Sequence, residues 1–346
     1  MDQVYGNATM TIAAAASESV HGGLFRRWEK RQCCLPYDQS ETSKSVYVQE
    51  DLPESINYLA DRAWTFQERV LSRRVLTYSG YQVTWHCPTD AQWSYKWSVY
   101  SERLPDGTPY NDGVVQAQDM QMYDKAADYW THAVQEYSRR SMSRPEDKLK
   151  ALAGLAKLVY RSTGDEYLAG LWKEDLPLQL CWHVLCPVAT PVPVPWAPSW
   201  SWASLDGRIA SLNGSDQEKD THFEVVDARA PPASPLDRFG EVDVANCVLT
   251  VRGLLQYAFE VEEEDKDQPW RWNYFDLENH EVPERPRSAW LFRVTVRAAL
   301  MLEHVGDNKY RRVGLYHSAG TSHGDDFRDL FPHKFRDAVV ETIKII

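Results

Sequence analysis

A chain of 346 residues can bury roughly three quarters of its unfolded surface, enough for a large core and more than one domain. The net charge of −12 argues against nucleic acid as a partner, because phosphate binding needs a basic face and Arg26-Arg27 and Arg73-Arg74 are only short runs. No run of about 18 or more apolar residues occurs, so no membrane span is predicted, and Ala13 to Ala16 lacks the length and basic leader of a signal peptide.

Residues 4–16 are predicted to begin extended, since Thr9, Met10, Thr11 and Ile12 favour a strand. Residues 17–45 read as a long surface loop, followed by a short strand at 46–48 and a turn at 52–55. From Leu59 the period changes: Leu59, Ala63, Phe66 and Val70 recur on one helical face. Val75, Leu76 and Tyr78, then Tyr81, Val83 and Trp85, alternate as two strands joined at Ser79-Gly80. Residues 88–113 read as a loop.

A helix is predicted over 118–140, with Tyr123, Ala126, Ala127, Trp130, Val134 and Tyr137 on its apolar stripe and His132 off it. Ser143-Arg144-Pro145-Glu146 has the spacing of a capping box. Leu149, Leu152, Ala153, Ala156 and Val159 then give a second helical face ending near Gly164, and the two stripes are expected to pair antiparallel. Residues 165–172 and 176–185 are predicted as further helices. Five prolines within 186–198 make a stiff crossing segment and the best boundary within the chain.

Beyond it the pattern is β. Trp200, Trp202, Leu205, Ile209 and Leu212 alternate loosely around the turn dipeptide Asp206-Gly207. Strands are predicted at 223–226, 248–257, 289–302 and 310–317, with loops at 230–240 and 265–287; strand and helix both remain open for 334–346. The expected fold class is α+β, in three parts: residues 1–115, a helical segment at 116–190, and a mainly antiparallel β-rich domain at 191–346.

Catalytic signatures are scarce. The chain has no GxSxG elbow, Walker A loop, HExxH or GxGxxG. Six cysteines (Cys33, Cys34, Cys87, Cys181, Cys186 and Cys247) form no CxxC pair. Cys181, His183 and Cys186 are three soft ligands in one short run, but no second half completes a zinc site, so buried free thiols and no metal are expected. The acidic run at 260–265 reads as a solvated stretch without spaced cation ligands. Ser199, Ser201 and Ser204 alternate with tryptophan, which fits a half-buried strand better than a nucleophile, so Ser201→Ala is expected to be nearly silent. The 14 tryptophans are expected to fill core, not to line a ligand site. Glu68, with Arg62 and Arg69 around Trp64, is either a catalytic acid or, more simply, part of an ion pair framing a buried ring.

The run Arg62-Ala63-Trp64-Thr65-Phe66-Gln67-Glu68-Arg69-Val70-Leu71-Ser72-Arg73-Arg74, with Gln82, Trp85 and Cys87, resembles the last sequence block of the fungal heterokaryon-incompatibility (HET) domain. Val4-Tyr5-Gly6-Asn7-Ala8-Thr9-Met10-Thr11-Ile12-Ala13-Ala14-Ala15 and Gly22-Gly23-Leu24-Phe25 are similar to the segments before it. Pro145 to Ala156, Asp165 to Trp172, Ala197-Pro198-Ser199-Trp200-Ser201-Trp202-Ala203-Ser204-Leu205-Asp206-Gly207 and Tyr310-Arg311-Arg312-Val313-Gly314-Leu315 resemble its downstream region. The family's upstream "ALSYCWG"-like and "WIDALCINQ"-like strands have no counterpart, so residues 1–115 resemble the back part of the domain, as from a truncated gene copy or a start codon placed late.

The resemblance implies a remnant of an α/β, distantly TIR-like domain whose strand lacks neighbours, leaving an unpaired edge. It carries over Arg62, Trp64, Gln67, Glu68, Arg69, Ser72, Trp85, Trp200, Trp202, Asp206 and Gly207 as motif residues. It implies fungal non-self recognition and incompatibility-triggered cell death in the cytoplasm, without a cofactor, through an incompatibility partner or self-association. Some TIR domains hydrolyse NAD with a glutamate. The alternative is therefore an NAD-hydrolysing effector completed by an oligomer or partner chain, with Glu68 and Arg62 as candidate catalytic residues.

Overall fold

The computed structural model describes residues 2–24, 57–79, 83–87, 120, 125–185, 195–212, 218–258, 289–317 and 335–346. It also describes the backbone of strands at 32–38, 41–49, 102–103, 109–110 and 273–275. Helices and mainly antiparallel sheets coexist, so the fold is α+β. The chain divides into two compact units, residues 1–118 and 119–346. The predicted turn at 52–55, most of 186–198 and the acidic run at 260–265 lie outside the described residues.

In the first unit, helix α1 (Asp2–Asn7) precedes strand β1 (Thr11–Ala13). The extended start expected from Val4 is thus a helix, and only Thr11 to Ala13 form strand. Strands β2 (Gln32–Asp38) and β3 (Glu41–Gln49) pair antiparallel where a long loop was expected up to residue 45. Helix α2 (Ala63–Leu71) buries Ala63, Phe66 and Val70, the residues its period marks, together with Gln67 and Leu71. Strands β4 (Val75–Tyr78) and β5 (Val83–His86) form the predicted hairpin, and β1 joins β4 in parallel to give the order β1-β4-β5. Two short strands, β6 (Glu102–Arg103) and β7 (Pro109–Tyr110), pair within the segment expected to be loop.

The second unit opens with helices α3 (Ala126–Ser138) and α4 (Lys148–Thr163). Tyr129, Trp130, Ala133, Val134 and Tyr137 form the buried face of α3, and Leu149, Leu152, Leu155, Ala156 and Val159 that of α4. Gly164 ends α4 at φ 71°, the left-handed cap that glycine adopts without steric cost. The capping box at Ser143 does not form. Pro145 starts a 3-10 turn (Pro145–Asp147), so α4 begins only after Asp147 and its first amides are beyond the reach of Ser143.

Residues 165–172 are not helical. Ala169 (φ 47°) and Gly170 (φ 95°) make the bend of a hairpin, β8 (Tyr167–Leu168) with β9 (Leu171–Trp172). Helix α5 (Leu176–Gln179) is one turn long, and the chain then enters β10 (Trp182–Val184), which pairs with β11 (Ile209–Ser211).

The remaining strands are β12 (Glu224–Arg229), β13 (Val248–Ala258), β14 (Asn273–Phe275), β15 (Ala289–Arg293), β16 (Ala298–Gly306), β17 (Lys309–His317) and β18 (Val339–Ile345). The strand expected over 289–302 is therefore two, and the open C-terminal segment is strand. The pairings β13–β15, β15–β16, β16–β17, β17–β18 and β18–β13 close into a five-stranded ring; only β17–β18 is parallel. Closure removes edges that would otherwise recruit other chains. Asp307 and Asn308, both at positive φ, form the two-residue turn between β16 and β17.

Alternation sorts the ring's residues into two faces. Leu249, Val251, Leu255, Phe292, Leu300, Leu315, Ile343 and Ile345 are buried along one face. Leu291, Ala299, Met301 and Phe335 cluster on the other. Gly253 is required here, because a Cβ at that position would lie 2.9 Å from the Phe292 ring.

Candidate functional site

The first candidate is the arginine-glutamate motif on α2. Arg62 is the exposed N-cap residue, with no side-chain cap of its own. Glu68 lies six positions on, within the helix, whereas Arg62 precedes it with extended backbone (φ −92°, ψ 125°). Glu68 accepts a hydrogen bond from the Tyr5 hydroxyl of α1, whose pKa is raised by burial and by the Glu68 charge. Ser72, buried, donates to the Glu68 carbonyl at 2.6 Å and sits 2.7 Å from Thr11 Oγ1 at the start of β1. Gln67 is buried and Arg69 half-buried on the same helix.

These contacts tie α1 and β1 to α2. They do not bring Arg62 and Glu68 together. Trp64 is half-buried, not the core ring expected, because it stands off the Ala63-Phe66-Val70 stripe. Trp64→Ala is accordingly expected to cost less than the roughly 3–5 kcal/mol of removing a fully buried tryptophan.

Trp85, on β5, is exposed. Register places Ile12, Leu76 and Trp85 in one row across the three strands, and Tyr78 and Val83 share that face. Ile12 is 53% exposed, Val83 55% and Trp85 45%, whereas Val75 on the opposite face is 3% exposed. This sheet therefore presents an apolar row on one face, with Val75 buried on the other.

The second candidate is the Trp-Ser-Trp motif of the second unit. It is not a strand. The Ser201 hydroxyl accepts from Ala203 N at 3.1 Å and closes a 3-10 turn (Trp202–Ser204), a local bond by which serine competes with strand pairing. The same hydroxyl donates to Ala169 O at 2.5 Å. Trp130 Nε1 and Trp202 Nε1 both donate to Gly170 O at 2.8 Å, and Trp182 Nε1 donates to Trp200 O at 3.0 Å. Trp200 is fully buried. Edge-to-face contacts join Trp130 to Trp172 (5.7 Å) and Tyr137 to Trp202 (6.0 Å).

The flanks of the motif anchor it further. Ser199 donates to the carbonyl of Ile346 and accepts from Arg312 N at 3.0 Å, fixing the motif to β17 and the end of β18. Asp206 pairs with the buried ammonium of Lys148 at 3.0 Å, and Lys148 also donates to Leu205 O. Burial pulls the Lys148 pKa down, while Asp206 opposes that shift. Gly207 needs no left-handed conformation, so Asp206-Gly207 serves as the Lys148 anchor in place of the tight hairpin turn expected.

Every polar atom of Ser201 thus has a backbone partner in the core, which overturns the expectation of a silent alanine substitution. Ser201→Ala is expected to cost about 1–3 kcal/mol by leaving Ala169 O and Ala203 N without it. Urea unfolding of the two proteins side by side measures this.

A cavity of about 380 Å³ opens where α3 begins and α4 ends, lined by Lys125, Ala126, Val159, Asp165, Trp172 and Asp175 among others. The Asp175 carboxyl is raised by burial, with Lys125 opposing. Asp165 is engaged locally, accepting from the amides of Glu166 and Glu174. Of the segments that resemble family motifs, Asp165 and Trp172 line this space.

Among the described residues no group of three or more His, Cys, Asp or Glu is placed to hold a metal ion. Cys87, Cys181 and Cys247 are buried, and burial pushes the Cys181 and Cys247 thiols up to about 12. Cys181 Sγ lies 3.6 Å from Pro177 O, while Cys186 lies outside the described residues. Among those residues, no helix is long and apolar enough to cross a membrane.

The hydrogen bonds from Ser199, Ser201 and Trp202, and the carbonyl of Gly170 that gathers two indoles, were the features least visible in the residue pattern. Their partners lie tens of residues away. Compared with known proteins, the chain matches no family model, no curated protein and no solved structure.

Proposed function

We propose that this chain acts without enzymatic chemistry, as a protein of the heterokaryon-incompatibility type in fungal non-self recognition and cell death, through contact with another protein. One observation carries the reading: the apolar row of Ile12, Leu76 and Trp85, with Val83 beside it, on the open side of the β1-β4-β5 sheet. Exposed apolar surface of this kind is what protein contacts cover.

Two measurements test it. Purified protein incubated with NAD is expected to release no nicotinamide; turnover that Glu68→Gln abolishes would establish the NAD-hydrolase alternative instead. Expressed in a fungal host, the chain is expected to impair growth, and Trp85→Asp to relieve that effect without moving the melting temperature. Undiminished toxicity of a folded Trp85→Asp protein would sink the contact-surface reading.

A further inference from the structure

The cavity where α3 begins and α4 ends is lined by groups of both signs. Lys125 is the N-cap residue of α3, its own side chain makes no capping bond, and Ala126 and Ala127 follow it in the lining. The amides of a first turn have no acceptor inside their helix, and a helix start carries partial positive charge. Helix α4 arrives by its other end, through Val159 and Thr163, where the dipole is negative. Asp165, Glu174 and Asp175 add three carboxylates, against the single ammonium of Lys125 among the described residues of the lining.

Two polar groups of this lining are left over by the fold. Trp172 is 2% exposed, and its indole N–H is buried with no acceptor among the described residues. Its ring is held edge-on against Trp130 (5.7 Å) and Tyr167 (5.2 Å), and its backbone amide already donates to Gln179 Oε1 at 2.8 Å. Asp175 is the N-cap residue of α5, yet its side chain makes no capping bond. Burial raises its pKa, which Lys125 opposes and Asp128 and Asp165 reinforce. Asp165, by contrast, is spent on the amides of Glu166 and Glu174. A buried donor and a half-buried acceptor on one cavity are met by an occupant that offers each its opposite.

We infer that this cavity binds a small apolar amino acid as the free zwitterion, with its ammonium on Asp175 and its carboxylate toward Trp172 Nε1, Lys125 and the first amides of α3. Ala126, Ala127, Val159 and the Trp172 ring give its side chain an apolar wall. The volume of about 380 Å³ falls at the small end of the range for ligand sites, which suits one such molecule. The charges select among alternatives. An acid without an ammonium meets the carboxylate excess, a plain amine leaves the indole N–H unmet, and a neutral polyol leaves the excess unanswered. The site lies in the second unit, so it goes beyond the protein-contact reading, which rests on the first.

Calorimetric titration of the full chain with L-leucine, L-methionine and L-phenylalanine tests the site. At least one is expected to bind saturably and to raise the melting temperature. The N-acetyl and methyl-ester forms of the best binder, each lacking one charge, are expected to bind about tenfold or more weakly. Asp175→Asn is expected to weaken binding by a similar factor without lowering the melting temperature of the unliganded protein. Trp172→Phe, which keeps a ring and deletes the N–H, is expected to weaken it as well; should that protein fail to fold, Lys125→Met at its exposed position takes its place. Absence of saturable heat from all three amino acids, equal affinity for a blocked form, binding of glucose in their stead, or unchanged affinity in either folded variant would overturn the proposal.

Discussion

Trp202→Ala is expected to destabilise the second unit by about 3–5 kcal/mol, the range for removing a fully buried large aromatic. The ring is 2% exposed, packs edge-to-face on Tyr137 and donates from Nε1 to Gly170 O. Three losses coincide: apolar burial, ring contact, and a donor to a carbonyl at the bend of the β8–β9 hairpin. Trp202→Phe separates them. It retains most of the ring volume and should cost about 1–2 kcal/mol, since Trp130 still donates to the same carbonyl. Urea midpoints measure both, with unchanged slopes as the sign that only stability has moved. A Trp202→Ala protein as stable as the parent would show that this motif lies outside the folding core.

Arg312→Ala is expected to cost about 2–5 kcal/mol, because it strips the hydrogen-bond donors from two buried carbonyls, Leu180 O and Trp182 O, and uncovers the Trp182 face. The loss should be local as well as global, appearing in exchange as weakened protection of β10 and β11. Arg312→Lys should recover only part of it. A single ammonium cannot lie flat on an indole while reaching two carbonyls in the fixed geometry of a guanidinium. Equal stability of Arg312→Lys and the parent would mean that charge alone suffices.

Both substitutions fall in segments whose resemblance to HET-family motifs is read from sequence, and in both the structure gives the motif residues anchoring work. Trp200 and Trp202 fill core, Ser201 ties two turns, Asp206 holds Lys148, and Ser199 meets the end of β18. In the first unit, Gln67 and Ser72 are likewise buried. Arg62 is exposed, and Trp85 is half exposed on an apolar sheet face, which is where the proposed contact with another protein is placed.

How much of this was legible before folding depended on the range of the interaction. Helices α2, α3 and α4, the β4–β5 hairpin and the cap at Gly164 were visible because neighbours three, four or two positions apart encode them. Ser201 was misread because alternation of Trp and Ser looks like a half-buried strand. Its hydroxyl instead bonds its own turn and a carbonyl 32 residues upstream. The segment 165–172 looked helical because Leu168 to Leu171 carries no local veto strong enough. Its conformation follows from Gly170, whose carbonyl receives two indoles and where any Cβ would come within 2.7 Å of Trp202 Nε1.

Local pattern thus fixed the α+β class, the helical faces and several strand positions, since backbone periodicity and side-chain hydrophobicity act within a few residues. Ring closure through β17–β18, the two-indole carbonyl, the Arg312–Trp182 stack and the open face bearing Trp85 were decided by packing between segments far apart in the chain. No local period encodes which distant carbonyl a buried donor will find, and burial makes that choice costly to undo.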